Sequence, residues 1–281
     1  MREERYKSCE PGHCHPITGS MTRHLILQER SRPRSLLADE DVLGDIVAWH
    51  EKGLRTALVT LVAIDGTTPR PLGAQMAVAE DQRYSGYLSG GCIEPAIALE
   101  ACQAITSGQN RLVRYGKGSA YLDVQLPCGS GLDLYFDQGL TAELVAGIAQ
   151  RRSERQPFTL VTDIVRGQCD VLDKIHDPAS TLDGDVFYRT HLPSLRVLLV
   201  GGGPALFAIA VLFHAVGVPM DVFTPDEQAR ADLFARGIDV RGLTDAREVA
   251  GHGDRWTAAI VAFHEHVWEA QVLARVLDQP H

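Results

Sequence analysis

"LRVLLVGGGPALFAIAVLFHAVG", residues 195–217, is the stretch that decides the fold. An apolar run of strand length enters Gly201-Gly202-Gly203, and a nearly all-apolar segment, 204–217, follows. A strand with no polar face is buried on both sides, as in a parallel sheet, and a glycine turn opening a helix is how the first β–α unit of such a sheet begins. Downstream, "PMDVFTP" (219–225) reads as a second strand and 226–236 as a second helix. "IDV" (238–240) and "TAAIVAFH" (257–264) read as further strands, and 267–277 as a closing helix. This alternation predicts a Rossmann-like parallel sheet over 195–281, partial at its carboxyl end, with roughly four of the six strands of a full one.

Upstream the chemistry differs. Residues 1–37 are rich in Arg, Glu, Pro and Ser without sustained periodicity and read as a disordered tail. Met21 offers a second candidate start, and the cluster "CEPGHCH" (9–15) matches no metal-ligand spacing. From Asp39, the residues Val42, Leu43, Ile46, Val47 and Trp49 keep helical spacing, with Gly53 as the stop. "RTALVTLVAI" (55–64) reads as a buried strand. "QMAVA" and "RYSGYLS" flank a hairpin turn, and a helix runs from Gly91 to Gly108. Strands are predicted at 111–115, 121–126, 132–137 and 158–164, with a helix at 141–151. The resulting division is a first α/β domain over 38–164, a linker over 165–194 and the Rossmann-like domain over 195–281.

Composition narrows the function. The chain has 281 residues, 45% of them hydrophobic and 22% charged, enough to bury two cores. Lys and Arg number 27 against 36 Asp and Glu, for a formal charge of −9, which argues against a nucleic-acid or anionic-membrane surface. No apolar run reaches membrane-span length, and the charged start has no apolar core of a signal peptide. Six scattered cysteines in a chain of this size read as reduced thiols, which implies the cytoplasm.

Three loops carry the candidate chemistry. In "YLSGGCIEPA" (87–96), Gly90 and Gly91 permit backbone angles and close approaches that a Cβ would forbid. The helix that follows aims free amides and its positive end at the turn, which suits an anion. Cys92, on its first turn, gains thiolate character, and Glu94 stands near enough to accept a hydrogen bond. In "GTTPRPLGAQM" (66–76), Arg70 sits between two prolines, a stiff mount for a guanidinium. "PCGSG" (127–131) repeats the thiol-plus-glycine pattern with Cys128 and Gly129. The plain alternative is a packing turn with core cysteines and a solvated arginine.

Taken in order, "GTTPRPLGAQMAV", "GYLSGGCIEPAI", "RYG" and "CGSGLDLYF" resemble the XdhC/CoxI family, the xanthine dehydrogenase accessory proteins, over residues 40–137. The departure is "CGSG" where the family has C-G-G, with Gly131 in line for the second glycine's job. The resemblance implies an XdhC-type domain ahead of the Rossmann-like one. It implies a chaperone, without turnover of its own, that binds molybdenum cofactor (molybdopterin), supports its sulfuration and delivers it to a molybdenum hydroxylase such as xanthine dehydrogenase. A cysteine desulfurase then becomes a second partner. Carried over residue by residue, the cofactor contacts fall on Arg70, Ser89, Gly90, Gly91, Cys92, Glu94, Cys128 and Gly129, with Cys92 the metal ligand. Phosphate, dithiolene and a thiophilic metal make amides, an arginine and a thiolate sensible contacts.

The Rossmann-like half adds Gly201, Gly203 and His264 to the candidate cofactor contacts, because the "FHEH" turn stands beyond the carboxyl end of a strand. It also departs from two patterns. Position 206 is Leu where a dinucleotide fingerprint has Gly or Ala, and Thr224 stands where an acid is expected, with Asp226 two residues on. The family's His after the glycine turn is Pro204 here. An NAD(P)-dependent oxidoreductase is therefore the weaker alternative, beside a non-catalytic adaptor of the same complex. A sheet left with an open edge implies a homodimer.

Overall fold

Asp41 starts the first helix by capping it. In this computed structural model the described residues are 41–91, 93–119, 129–176, 180–264 and 266–278. The Asp41 carboxylate accepts the Gly44 amide at 3.1 Å, so α1 (Val42–Glu51) begins there. Val42, Leu43, Ile46 and Trp49 turn inward at helical spacing, and Gly53, at φ 75°, leads the chain out.

The central strand of the first sheet, β1 (Thr56–Asp65), follows. It pairs antiparallel with β2 (Gln75–Ala79) on one side and with β5 (Gly131–Asp137) on the other. The strand β3 (Tyr84–Ser85) and β4 (Arg111–Gly116) complete the order β3-β2-β1-β5-β4. Side chains of β1 alternate between two cores. Ala57, Val59 and Leu61 meet Ile97, Ala101 and Ala104 of α2 (Glu94–Ser107). Leu58 faces the opposite way, toward α1 and Val145 and Ile148 of α3 (Ala142–Ser153). The predicted strand 121–126 lies outside the described residues.

Residues 165–194, expected as a linker, instead carry strands. β6 (Phe158–Asp163), β7 (Gln168–Leu172), β8 (Thr181–Asp183) and β9 (Val186–His191) form an antiparallel sheet of order β7-β6-β9-β8. Its fully buried apolar residues, Phe158, Leu160 and Phe187, come from β6 and β9. β7 and β8 are short and half exposed, so their alternation carries little apolar signal. Phe187 packs with Val62 and Tyr135, which fastens this sheet to the first one.

The parallel sheet is present as expected, in the order β12-β11-β10-β13. It is built from β10 (Arg196–Gly201), β11 (Met220–Thr224), β12 (Arg241–Gly242) and β13 (Thr257–Ala262). Val197 and Leu199 face Leu206 and Ala210 of α4 (Gly203–Ala215) and Leu233 of α5 (Glu227–Phe234). Leu198 and Val200 face Val249 of a 3-10 turn (Ala246–Val249) and Val272 of α6 (His266–Leu277). The third strand falls at 241–242 rather than 238–240: Ile238 is a buried plug under α4, and pairing starts only at Phe223 with Arg241. Among the described residues β13 pairs only with β10 and is an edge.

Arg155, at a left-handed φ of 54°, ties the antiparallel part to this sheet. Its guanidinium donates to Asp254 at 2.5 Å and to the carbonyls of Ser194 and Trp256 at 3.1 and 3.3 Å. No helix among the described residues is long and apolar enough to cross a membrane.

Leu61 is wholly buried between β1 and α2, whereas Leu112 on β4 is 55% exposed. Leu61→Ala should therefore cost about 2–5 kcal/mol in denaturant unfolding, and Leu112→Ala no more than about 0.5 kcal/mol. Equal losses at the two positions would contradict the assigned core.

Candidate functional site

One end of the first sheet gathers the three loops that the sequence singled out. Asp65 of β1 pairs with Gly131 of β5, and Gly131 pairs with Gly116 of β4, so the loops leaving these strands start side by side. Ser130, buried beneath them, accepts the Thr67 amide at 3.0 Å and donates to the Thr67 carbonyl. That locks the 66–70 loop to the 129–131 loop. On its other flank Pro69 borders Gly90, where a Cβ would lie 3.7 Å from the proline Cγ. Arg114 braces the floor through Asp65 at 3.0 Å and Asp133 at 3.1 Å.

Gly90 and Gly91 adopt φ 87° and 106°, and Gly129 adopts 68°, all in the left-handed region. A Cβ at Gly91 or Gly129 would meet no atom within 4 Å, so these glycines are required by backbone conformation and border open space. Gly131 differs: its Cβ would fall 2.7 Å from Arg114 and from the Lys117 carbonyl. It makes room for the Arg114 brace rather than standing in for a second cradle glycine.

The anion expected in the 87–94 turn is already there, supplied by the protein. Glu94 is wholly buried, and its carboxylate accepts the amides of Leu88 at 2.9 Å and Ser89 at 2.8 Å. It also accepts the Ser89 hydroxyl at 2.8 Å and the Ile93 amide at 3.2 Å. Burial alone would raise the Glu94 carboxyl; the bonds from Ser89 and Leu88 outweigh it and hold the group below the ordinary carboxylate range. Glu94 and Ser89 thus shape the turn from within, leaving Gly90 and Gly91 as its outward face. Cys92 and Cys128 lie outside the described residues.

Arg70 goes elsewhere. It lines a cavity of about 270 Å³ between the start of α1 and the end of β9, together with Arg152, Arg189 and His191. Nothing in the local sequence signals that cavity, because β9 was not expected. The buried Nε2 of His191 has no partner there, and its ring stacks on Phe158 with centroids 5.1 Å apart. Burial, reinforced by Arg189 and Arg152, pushes the imidazole down to about 3, so it is neutral at pH 7.

In the Rossmann-like half Gly203 and His264 do meet: a Cβ on Gly203 would lie 4.0 Å from the His264 ring. His264 itself is exposed. Gly201 has a packing reason, since its Cβ would strike the Ala262 carbonyl at 2.2 Å. Asp226 caps α5 by accepting the Ala229 amide at 3.0 Å, and Leu206 is buried against β10. Among the described residues no three His, Cys, Asp or Glu side chains gather as a metal site, and Cys102 and Cys169 are free thiols.

Comparison with known proteins gives a consistent picture. Residues 49–116 match the XdhC and CoxI family. Over 222 residues, 79% of this chain, the sequence is 38% identical to the molybdenum cofactor insertion chaperone PaoD of Escherichia coli K12; the match spans 63% of that relative's length. A crystal structure of a xanthine dehydrogenase from Bacillus halodurans shares the fold with a TM-score of 0.62 over 83% of this chain and 77% of that one, at 14% identity.

Two outcomes test this geometry. Glu94→Gln turns one acceptor into a donor facing amides, and should cost about 1–3 kcal/mol in chemical denaturation. Since the Glu94 pKa is depressed by folding, its contribution is present above the unfolded value and lost as pH falls through the folded one. The variant should therefore lose part of the wild type's acid sensitivity below about pH 4. For His191 the folded imidazole is also depressed, so the unfolded chain binds the extra proton. Stability should fall between pH 6.5 and about 3, by up to about 1.4 kcal/mol per unit. His191→Phe should flatten that slope; an unchanged slope would show the ring to be solvated.

Proposed function

As the chain belongs to the XdhC and CoxI family, we propose that it binds molybdenum cofactor and hands it to a molybdenum hydroxylase, with no turnover of its own. The observation that carries this reading is the meeting of three separate loops, 66–70, 88–91 and 129–131, at one end of the first sheet. Loops so far apart in sequence have no packing reason to present left-handed glycines with open space beside them, as Gly91 and Gly129 do. A ligand that approaches the backbone closely gives them one.

The residues present suit that group. Gly90, Gly91 and Gly129 would face it without side chains, and Ser89 and Glu94 would keep their turn in shape. The thiols of Cys92 and Cys128, placed by sequence at the ends of two of these loops, are the candidate contacts to metal or sulfur, with Cys92 first. Arg70, expected to meet an anionic part of the ligand, lines a different cavity and is left out of this set. When bound, the group would supply a pterin phosphate, a dithiolene and a soft metal centre. The Rossmann-like half, with Asp226 engaged as a helix cap, would serve as scaffold and docking surface.

The name of the Escherichia coli relative supports cofactor insertion. The finer steps are proposals of the same reading: sulfuration with a cysteine desulfurase, a xanthine dehydrogenase-like client, and self-association through the edge of β13.

The test is molybdenum and pterin content of the full chain purified from a cofactor-replete host. Wild type should carry both. Cys92→Ala should lower occupancy by about tenfold or more at an unchanged melting midpoint. Gly91→Val should lower occupancy as well, because a branched side chain is strained at its φ of 106°. Full occupancy in Cys92→Ala combined with early melting would make the cysteine a packing residue and overturn its assignment.

A further inference from the structure

α3 ends as α1 and α4 do, with one difference. The Gln156 amide returns to the Arg151 carbonyl at 2.8 Å, and the Arg155 amide to the Arg152 carbonyl at 3.1 Å. This pair of bonds closes a helix through one residue in the left-handed conformation, a position that favours glycine. α1 and α4 close with the corresponding bonds, and there the residue is Gly53 at φ 75° and Gly217 at φ 74°. In α3 it is Arg155, at φ 54°. A side chain at that φ costs free energy that glycine avoids, so ending the helix does not account for the arginine.

Its guanidinium does. Nε donates to Asp254 at 2.5 Å, and Nη2 donates to the carbonyls of Ser194 and Trp256. Asp254 is fixed on its own side, accepting the Trp256 amide at 2.9 Å and the Thr257 hydroxyl at 2.7 Å where β13 begins. Burial alone would raise the Asp254 carboxyl; the bonds from Arg155, Thr257 and Trp256 outweigh it and hold the group below the ordinary carboxylate range. Arg155 stands on an equally firm base, between the buried Ile148 of α3 and the buried Phe158 of β6.

The contact matters because apolar packing does not replace it. Among the described residues, each buried apolar cluster lies wholly before residue 192 or wholly after 195. No strand pairing crosses between the two sides. In the link itself, Leu192 and Leu195 are exposed. Two bodies without a shared apolar core reorient freely unless polar contacts hold them.

We propose that the Rossmann-like half is a hinged lobe that pivots on residues 192–195, and that Arg155 is the clasp that sets its orientation. The clasp is polar and is made by one side chain, so its release leaves the cores on both sides intact. The inference does not depend on the cofactor reading.

The experiment measures residual dipolar couplings of backbone amides in the full chain, fitted separately over 42–191 and 196–277. In wild type one alignment tensor should fit both parts. Arg155→Gly keeps a residue suited to the left-handed φ and removes only the guanidinium; Arg155→Gln removes the guanidinium and keeps a side chain. In both variants each part should still fit well by itself, with loss of the shared tensor. Separate tensors in wild type overturn the clasp, and so does a shared, wild-type tensor in either folded variant. Separation in Arg155→Gly alone would trace the motion to glycine flexibility and overturn it as well. A Rossmann-like half that unfolds in both variants would make Arg155 part of its fold and not a clasp.

Discussion

The fold depends on β1 having no solvent face. Ala57, Val59 and Leu61 go to α2, and Leu58 goes to α1 and α3, so a slip of one residue would exchange two cores of different shape. That constraint fixes the register on both flanks: Val59 opposes Met76 of β2 and Phe136 of β5. Because the register is fixed, Asp65 ends beside Gly131, and the loops that follow are placed together. The candidate site follows from strand packing, before any of its own contacts are considered.

Glu94 is the second constraint. A buried carboxylate is tolerated when donors surround it, and here two backbone amides, a hydroxyl and the Ile93 amide do so. The arrangement inverts the expectation for a helix start that follows glycines. Instead of waiting for a foreign anion, the inner amides close around an internal one, and only the outward face of the turn is left to a ligand. Arg70, between Pro69 and Pro71, does not join that face: it lines the separate cavity between the start of α1 and the end of β9.

Long-period signals were legible in the sequence and short ones were not. The buried strands at 55–64 and 195–200, the helices they pack on and the parallel topology all carry continuous or evenly spaced apolar residues. All of them appear where the pattern puts them. The strands β7, β8 and β12 contain few buried side chains, and their existence is owed to pairing with neighbours rather than to their own residues. Losing them hid the third sheet. With the sheet went the end of β9, which brings Arg189 and His191 to Arg70. The motif stretches located the loops correctly, but motif spacing carries no information on which face of a loop each side chain takes.

The same reasoning separates the two glycine turns that looked alike in sequence. Gly201 is dictated by the Ala262 carbonyl, 2.2 Å from where its Cβ would stand, so parallel-strand packing accounts for it completely. Gly91 and Gly129 have no such neighbour, and the turns that carry them are held from beneath by the buried Glu94 and Ser130. Backbone of this kind costs free energy unless the surrounding structure imposes it. Here the buried residues that impose it, Glu94 and Ser130, lie under the loops, and the cleared space lies above them. A turn built only to reverse the chain needs no buried carboxylate beneath it and no open face above. That asymmetry, more than the glycines themselves, is what the proposed ligand surface rests on.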